Sequence, residues 1–284
     1  MSTPNVTPEL RQWIIEQARA GCQPDAVLAS MRASGWPEDV AAQALQITLT
    51  QFLSEQSPAN QNLPEPLPVP EPDLRGEPHQ VWAFDREVQV LVNLRNPRLL
   101  VFGGLLSGDE CDALMAAARP RLARSETVVY DTGGNEINAA RTSSGMFFGR
   151  GEDELISRVE SRIAALLNWP VINGEGLQVL HYRPGAEYKP HHDYFDPAQP
   201  GMASVLKRGG QRVATLVMYL NTPKGGGATT FPEAALSVAP IKGHAVFFSY
   251  DRPHPITRTL HGGAPVITGE KWVATKWLRE GEFK

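Results

Sequence analysis

Two cysteines in 284 residues, Cys22 and Cys111, give no material for a disulfide framework and point to a reducing compartment, so a cytoplasmic location is expected. Long apolar runs are also missing. The longest, such as 216–220, is far too short to span a bilayer, so no membrane partner is expected. The first residues, MSTPNVTPELRQW, lack the basic segment followed by an apolar stretch that marks a secretory signal. Positive charge is not in excess either: 27 Lys and Arg stand against 31 Asp and Glu, a net charge of −4, and nucleic acid is not expected to bind. What is present is an ordinary globular composition, 42% hydrophobic and 20% charged, enough for one substantial core and a small accessory one.

Proline is plentiful and unevenly placed. Seven of the prolines fall in residues 58–78, including the alternation LPEPLPVPEPD. Because proline fixes φ and donates no backbone hydrogen bond, residues 57–78 are expected to form an extended linker between a head, 1–56, and a body, 79–284. In the head, Pro8, Pro24 and Pro37 each open a short helix, and Gly21 and Gly35 stop the first two. Leu10, Trp13, Ile14 and Ala18 share one helical face, and Val40, Ala41, Ala44, Leu45, Thr48 and Phe52 share another. This all-α triplet resembles ubiquitin-associated-like modules, which implies either a packing and tethering unit or a site for a protein partner.

In the body, Ser107 and Glu110 make a capping box ahead of a helix over 111–118, stopped by Pro120. A second helix over 153–168 turns Ile156, Val159, Ile163, Leu166 and Leu167 inward. From Leu177 the apolar period becomes two. Eight short strands are predicted, at 177–182, 188–194, 212–221, 229–231, 236–239, 245–250, 264–267 and 271–278. Strands in this number with no helices between them imply an antiparallel double sheet or barrel, so the fold class is mainly β with flanking helices.

The chemistry concentrates in P-H-H-D at 190–193. Side chains two apart on a strand share a face, so His191 and Asp193 can grip one ion, while His192 points the other way. A third ligand is expected from His261 in TRTLHGGAP, with His254 as the competitor, since both precede the C-terminal strands. Two histidines and a carboxylate form the facial triad of non-haem iron(II) oxygenases, although zinc hydrolysis would suit the same donors. His79, His181, His192 and His244 are read as ordinary surface or core residues. Lys271 follows His261 by ten residues and begins an apolar strand with Val273, Thr275 and Trp277 on the same side. A lysine facing a barrel interior is costly unless an anion meets it, which favours an anionic co-substrate. Gly225–Gly227 lacks the lysine and hydroxyl of a phosphate loop and is read as a tight turn.

The segments LQVLHYRPGAEYKPHHDYF, GGQRVATLVMYLNTPKGGGATTFP and HGGAPVITGEKWVATKWL closely resemble the catalytic core of collagen-type prolyl 4-hydroxylases, over about 98–280. The resemblance implies a double-stranded β-helix (jelly-roll) core that binds iron(II), 2-oxoglutarate and O2, with ascorbate as an accessory. It implies iron held by His191, Asp193 and His261, and 2-oxoglutarate met by Lys271 with hydroxyl groups from Tyr182 and Thr229. It implies peptide contacts from Arg141 and Ser143 of RTSSGMFF, and from Tyr188, Arg212 and Trp277. The activity implied is C4 hydroxylation of proline in a peptide or protein, releasing succinate and CO2. Ala264 and Arg279 depart from residues common in relatives, which bears on specificity. The alternatives are the same chemistry on a non-prolyl or small-molecule substrate, or a metal-binding adaptor with a partner-binding head. Residues 63–72 are themselves a polyproline-like segment of the shape such an enzyme would accept, as a docked or modified element.

Overall fold

The computed structural model describes residues 6–19, 21–56, 63–124, 127–128, 135–136 and 142–284. Contacts divide the chain into two compact units, 1–64 and 65–284. The first unit holds three helices, α1 (Pro8–Arg19), α2 (Pro24–Ala33) and α3 (Glu38–Gln56). Ile14, Val27, Met31, Ala41, Ala44 and Leu45 close a small core of their own. Gly21 and Gly35 take positive φ where α1 and α2 end, a conformation that costs little only without a Cβ.

The division between the units falls at 64/65, within the proline-rich segment. Residues 65–78 of the proline-rich segment belong with the second unit, where Pro70 and Pro72 are buried.

The second unit opens with a meander, β1 (Gln80–Ala83), β2 (Arg86–Leu94) and β3 (Leu99–Gly103), a region whose strands the sequence pattern did not reveal. Helix α4 (Gly108–Ala118) follows, capped by the reciprocal Ser107–Glu110 box. After β4 (Ala123–Arg124), β5 (Thr127–Val128), β6 (Asn135–Glu136) and β7 (Ser144–Phe148) comes α5 (Glu154–Leu167), which Asp153 caps by accepting from the Ile156 N–H. The chain continues through β8 (Leu177–Tyr182), β9 (Tyr188–His191), the short helix α6 (Met202–Leu206) and β10 (Arg212–Tyr219). It finishes with β11 (Gly225–Gly226), β12 (Thr229–Phe231), β13 (Leu236–Val238), β14 (Ala245–Ser249), β15 (His261–Gly263), β16 (Val266–Thr268) and β17 (Lys271–Arg279).

Nine strands form a large antiparallel sheet in the order β1-β2-β3-β14-β10-β17-β8-β7-β4, and four form a smaller one in the order β13-β12-β15-β9. Side chains alternate across a sheet, so the large sheet has two apolar faces to cover. One packs on α4 and α5 through Leu100, Phe102, Leu114, Ile163, Leu216 and Phe247. The other faces the small sheet through Val101, Leu180, Tyr219, Phe231, Phe248 and Val273. Two facing antiparallel sheets with a core between them are the jelly roll. The site lies between these sheets.

Candidate active site

Strand register builds the site. β15 pairs with β9 so that His261 stands directly opposite His191, and β17 pairs with β8 so that Lys271 stands opposite Tyr182. β12 brings Thr229 against Gly263 of β15. The same pocket is lined by His191, Asp193, His261, Tyr182, Tyr188, Thr229, Lys271 and Trp277. Val273 and Thr275 line it as well, following the alternation expected along the last strand.

One expectation needs correction. β9 ends at His191, so Asp193 is not its same-face neighbour on a continuous strand. The chain leaves the ladder at His192, and the turn returns the Asp193 carboxylate beside the two imidazoles.

One ligand atom from each of His191, Asp193 and His261 lies within 4.8 Å of the others. Asp193 Oδ1 is 3.6 Å from His191 Nε2, and Asp193 Oδ2 is 3.4 Å from His261 Nε2. The opposite ring nitrogens are committed elsewhere: His191 Nδ1 meets the Lys189 carbonyl at 2.9 Å, and His261 Nδ1 meets the Thr259 carbonyl at 3.0 Å. A carbonyl only accepts, so each Nδ1 carries the hydrogen. Each Nε2 is then left with a lone pair aimed at one point. Burial pushes the Asp193 carboxyl up, but His261 and His191 beside it more than offset this and hold it well below the usual carboxylate range. Burial, aided by His261, pushes the His191 imidazole down toward its neutral form. Two imidazoles and one carboxylate fit a divalent iron ion with open positions on the pocket side.

His254 has a different task. Its Nδ1 accepts from the Ile256 N–H at 3.1 Å and caps a short turn. His192 stacks on Tyr194 at 4.7 Å, and His181 stacks on Trp272 at 4.3 Å while bonding Glu270 at 2.7 Å.

Lys271 is buried, and no carboxylate lies within ion-pair distance of it among the described residues. Its ammonium lies 5.4 Å from the Tyr182 ring centre and 5.9 Å from that of Tyr219. Burial lowers its pKa to about 8. Nearby, the Tyr219 hydroxyl donates to Thr229 Oγ1 at 2.8 Å, which leaves the Thr229 hydroxyl hydrogen available. A cationic, hydroxyl-lined end of a buried pocket suits a carboxylate.

The expected peptide contacts divide. Tyr188 stacks on His191 at 3.7 Å, and Trp277 lines the pocket with an indole N–H that has no acceptor among the described residues. Arg212 does not line the pocket. Its guanidinium lies 4.0 Å from the Trp277 ring centre and grips Glu175 with two bonds, of 2.7 and 2.9 Å. Ser143 has no exposed surface and is not part of the pocket wall. Arg141 lies outside the described residues.

Sequence reasoning missed the groups that hold these residues. Thr215 Oγ1 donates to Asp193 Oδ2 at 2.7 Å and lies 2.9 Å from the Tyr250 hydroxyl. Glu175 accepts from Arg279 as well as Arg212, at 2.7 Å. Thr215 shares the pocket-facing parity of Val217 and Tyr219, a signal present in the alternation. Glu175 lies outside any strand and offered no such signal.

The family model for the 2OG-Fe(II) oxygenase superfamily matches residues 177–279. Probable prolyl 4-hydroxylase 3 of Arabidopsis thaliana is 41% identical over 209 residues, 66% of this chain and 71% of that protein. Prolyl 4-hydroxylase 1 of the same plant is 42% identical over 225 residues, 70% of this chain and 77% of that protein. The crystal structure of the viral collagen prolyl hydroxylase vCPH from Paramecium Bursaria Chlorella virus-1, in its 2OG complex, is 33% identical with a TM-score of 0.49, over 64% of this chain and 95% of that one.

Proposed function

Because the chain belongs to the prolyl 4-hydroxylase family of 2OG-Fe(II) oxygenases, we propose that His191, Asp193 and His261 hold iron(II) and that Lys271 receives the far carboxylate of 2-oxoglutarate. The substrate is a proline in a peptide or protein, hydroxylated at C4 with release of succinate and CO2. Bound iron supplies the activation of O2 that turns decarboxylation of 2-oxoglutarate into oxidation of a C–H bond.

The protein's own contribution is positioning. Lys271, with hydroxyl groups from Thr229 and Tyr182, sets the depth and orientation of the diacid, so a shorter or uncharged keto acid is rejected. Thr215 fixes the rotamer of Asp193 by its bond to Oδ2, leaving Oδ1 toward the pocket. Tyr188 and Trp277 present aromatic surface to an incoming proline ring, and the unmet Trp277 N–H suits a peptide carbonyl. Arg212 acts through Trp277, held by Glu175 at a fixed distance from the ring. The dry walls formed by Val217, Val273 and Leu180 keep bulk water from the reacting carbon.

The observation that carries this reading is a buried lysine without a carboxylate partner, in the same pocket as the two-histidine, one-carboxylate cluster. Zinc hydrolysis gives that lysine no task. The three-helix unit, with a core of its own, is the part proposed to carry a protein partner. The unpaired cysteines favour a reducing compartment such as the cytoplasm, where ascorbate or another reductant would keep iron ferrous.

The test is succinate release with iron(II), 2-oxoglutarate and a panel of proline-rich peptides, beside Asp193→Ala. Peptide-dependent succinate from the wild-type chain and none from the variant supports the assignment. Equal succinate from both, or none with any peptide, contradicts it.

A further inference from the structure

The run LPEPLPVPEP at 63–72 forms no part of the pocket wall. From Glu65 onward its residues belong to the second unit and form neither helix nor strand, and its X–Pro bonds are trans. Two backbone bonds tie it down: the Leu67 N–H donates to the Asp251 carbonyl at 2.6 Å, and the Glu71 N–H donates to the Leu167 carbonyl at 3.0 Å. Arg98 grips the Glu71 carboxylate, with Nε at 3.0 and 3.1 Å from its oxygens.

These ties sort the prolines. Pro70 and Pro72 are buried on either side of the second tie. Pro66 and Pro68 are exposed, but Pro68 sits between the two ties, whereas Pro66 precedes both. Pro66 can therefore be presented while 67–72 stay docked. Pro66 is exposed and forms no part of the wall of its own pocket, which leaves it open to the pocket of another molecule.

We propose that Pro66 is a modification site, converted to 4-hydroxyproline in trans by a second copy of this chain; the proposal rests on the hydroxylase reading above. An alternating proline run is already extended, so little conformational entropy is lost when it binds, and such runs dock against aromatic rims of the kind Tyr188 and Trp277 form. Glu65, an exposed carboxylate, stands next to the acceptor, and Lys189, next to Tyr188 in the chain, is an exposed cation of opposite charge. In the reaction the C4–H bond of Pro66 and the C1–C2 bond of 2-oxoglutarate break. O2 takes four electrons, two from each. One oxygen atom becomes the hydroxyl, retaining the hydrogen, and the other enters the new carboxylate of succinate as C1 leaves as CO2.

The experiment mixes wild-type full chain with a tagged full-length Asp193→Ala chain, iron(II) and 2-oxoglutarate, and maps the tagged chain by fragment mass spectrometry. A synthetic 63–72 peptide is a second acceptor that does not depend on the variant's folding. The expected result is one added oxygen atom on Pro66 of the tagged chain and none on Pro70 or Pro72, with Pro66 of the free peptide also modified. A Pro66→Ala chain should remain active on the free peptide and gain no oxygen itself. If the same wild-type sample releases succinate with other proline-rich peptides but leaves Pro66 untouched in both acceptors, the proposal is overturned and the hydroxylase reading stands. Silence toward every peptide overturns both. Oxygen on Pro70 or Pro72 of the intact chain as readily as on Pro66 overturns the ordering by exposure.

Discussion

Replacing Lys271 by methionine should move stability and binding in opposite directions. The ammonium is buried, and its pKa falls from the ordinary 10.5 to about 8 because burial disfavours the charge. That depression corresponds to about 3 kcal/mol of strain on the ligand-free fold at neutral pH. A base whose folded pKa is depressed costs the fold fully below that value, and the cost is relieved as pH rises from about 8 toward 10.5. Methionine removes the charge at nearly constant shape, so ligand-free Lys271→Met should melt roughly 5–10 °C above wild type at pH 7. The same change leaves a 2-oxoglutarate carboxylate buried without a cation, at a cost of about 3–5 kcal/mol, which is roughly a 10²–10⁴-fold loss of affinity. Wild-type affinity should be flat below pH 8 and fall about tenfold per pH unit above it, while the variant shows no such dependence. Differential scanning calorimetry of the ligand-free chain and anaerobic titration of the iron-loaded chain with 2-oxoglutarate read the two effects. A variant that is less stable and binds weakly is merely damaged. One that binds within threefold of wild type removes the lysine from the site, and either result refutes the reasoning.

Three further outcomes follow from the same geometry. Thr215→Val removes the donor to Asp193 Oδ2 and should weaken iron(II) or manganese(II) binding about 10–100-fold, with Thr215→Ser restoring it, as read by metal titration. Glu175→Gln leaves Arg212 and Arg279 buried without their shared carboxylate. It should cost about 3–5 kcal/mol in denaturant unfolding and raise the peptide KM more than it lowers kcat. Gly227→Ala places a Cβ 3.2 Å from Lys271 Cδ on a residue at φ +73°. The backbone strain alone is about 1–2 kcal/mol, and titration should show weaker 2-oxoglutarate binding with iron affinity unchanged.

Much of the catalytic face was legible because strand chemistry has a period of two. Lys271, Val273, Thr275 and Trp277 were read onto one side of the last strand, and they share the pocket. The helix over 111–118 and its cap were legible because a capping box is a local signal with its own hydrogen bonds. Asp193 joins His191 and His261 in one cluster, but not as a same-face strand neighbour, since the strand stops two residues before it and a bend does the work. The meander over 80–103 was not legible, because β2 lies at the open end of the large sheet, where most of its residues are solvent-facing and the apolar alternation is faint. The choice between His254 and His261 could not be made from spacing. It turns on register, which sets His261 opposite His191 and leaves His254 to cap a turn.

The most direct measurement is the fate of isotopically heavy dioxygen during turnover of a proline-rich peptide by the iron-loaded full chain. Cooperation of the two-histidine, one-carboxylate cluster with Lys271 in 2-oxoglutarate-driven oxidation requires heavy oxygen in succinate and in a hydroxyl on proline, with one succinate formed per hydroxyproline. Succinate free of the heavy isotope, or a modified peptide whose new oxygen comes wholly from water with no succinate formed, would contradict the account.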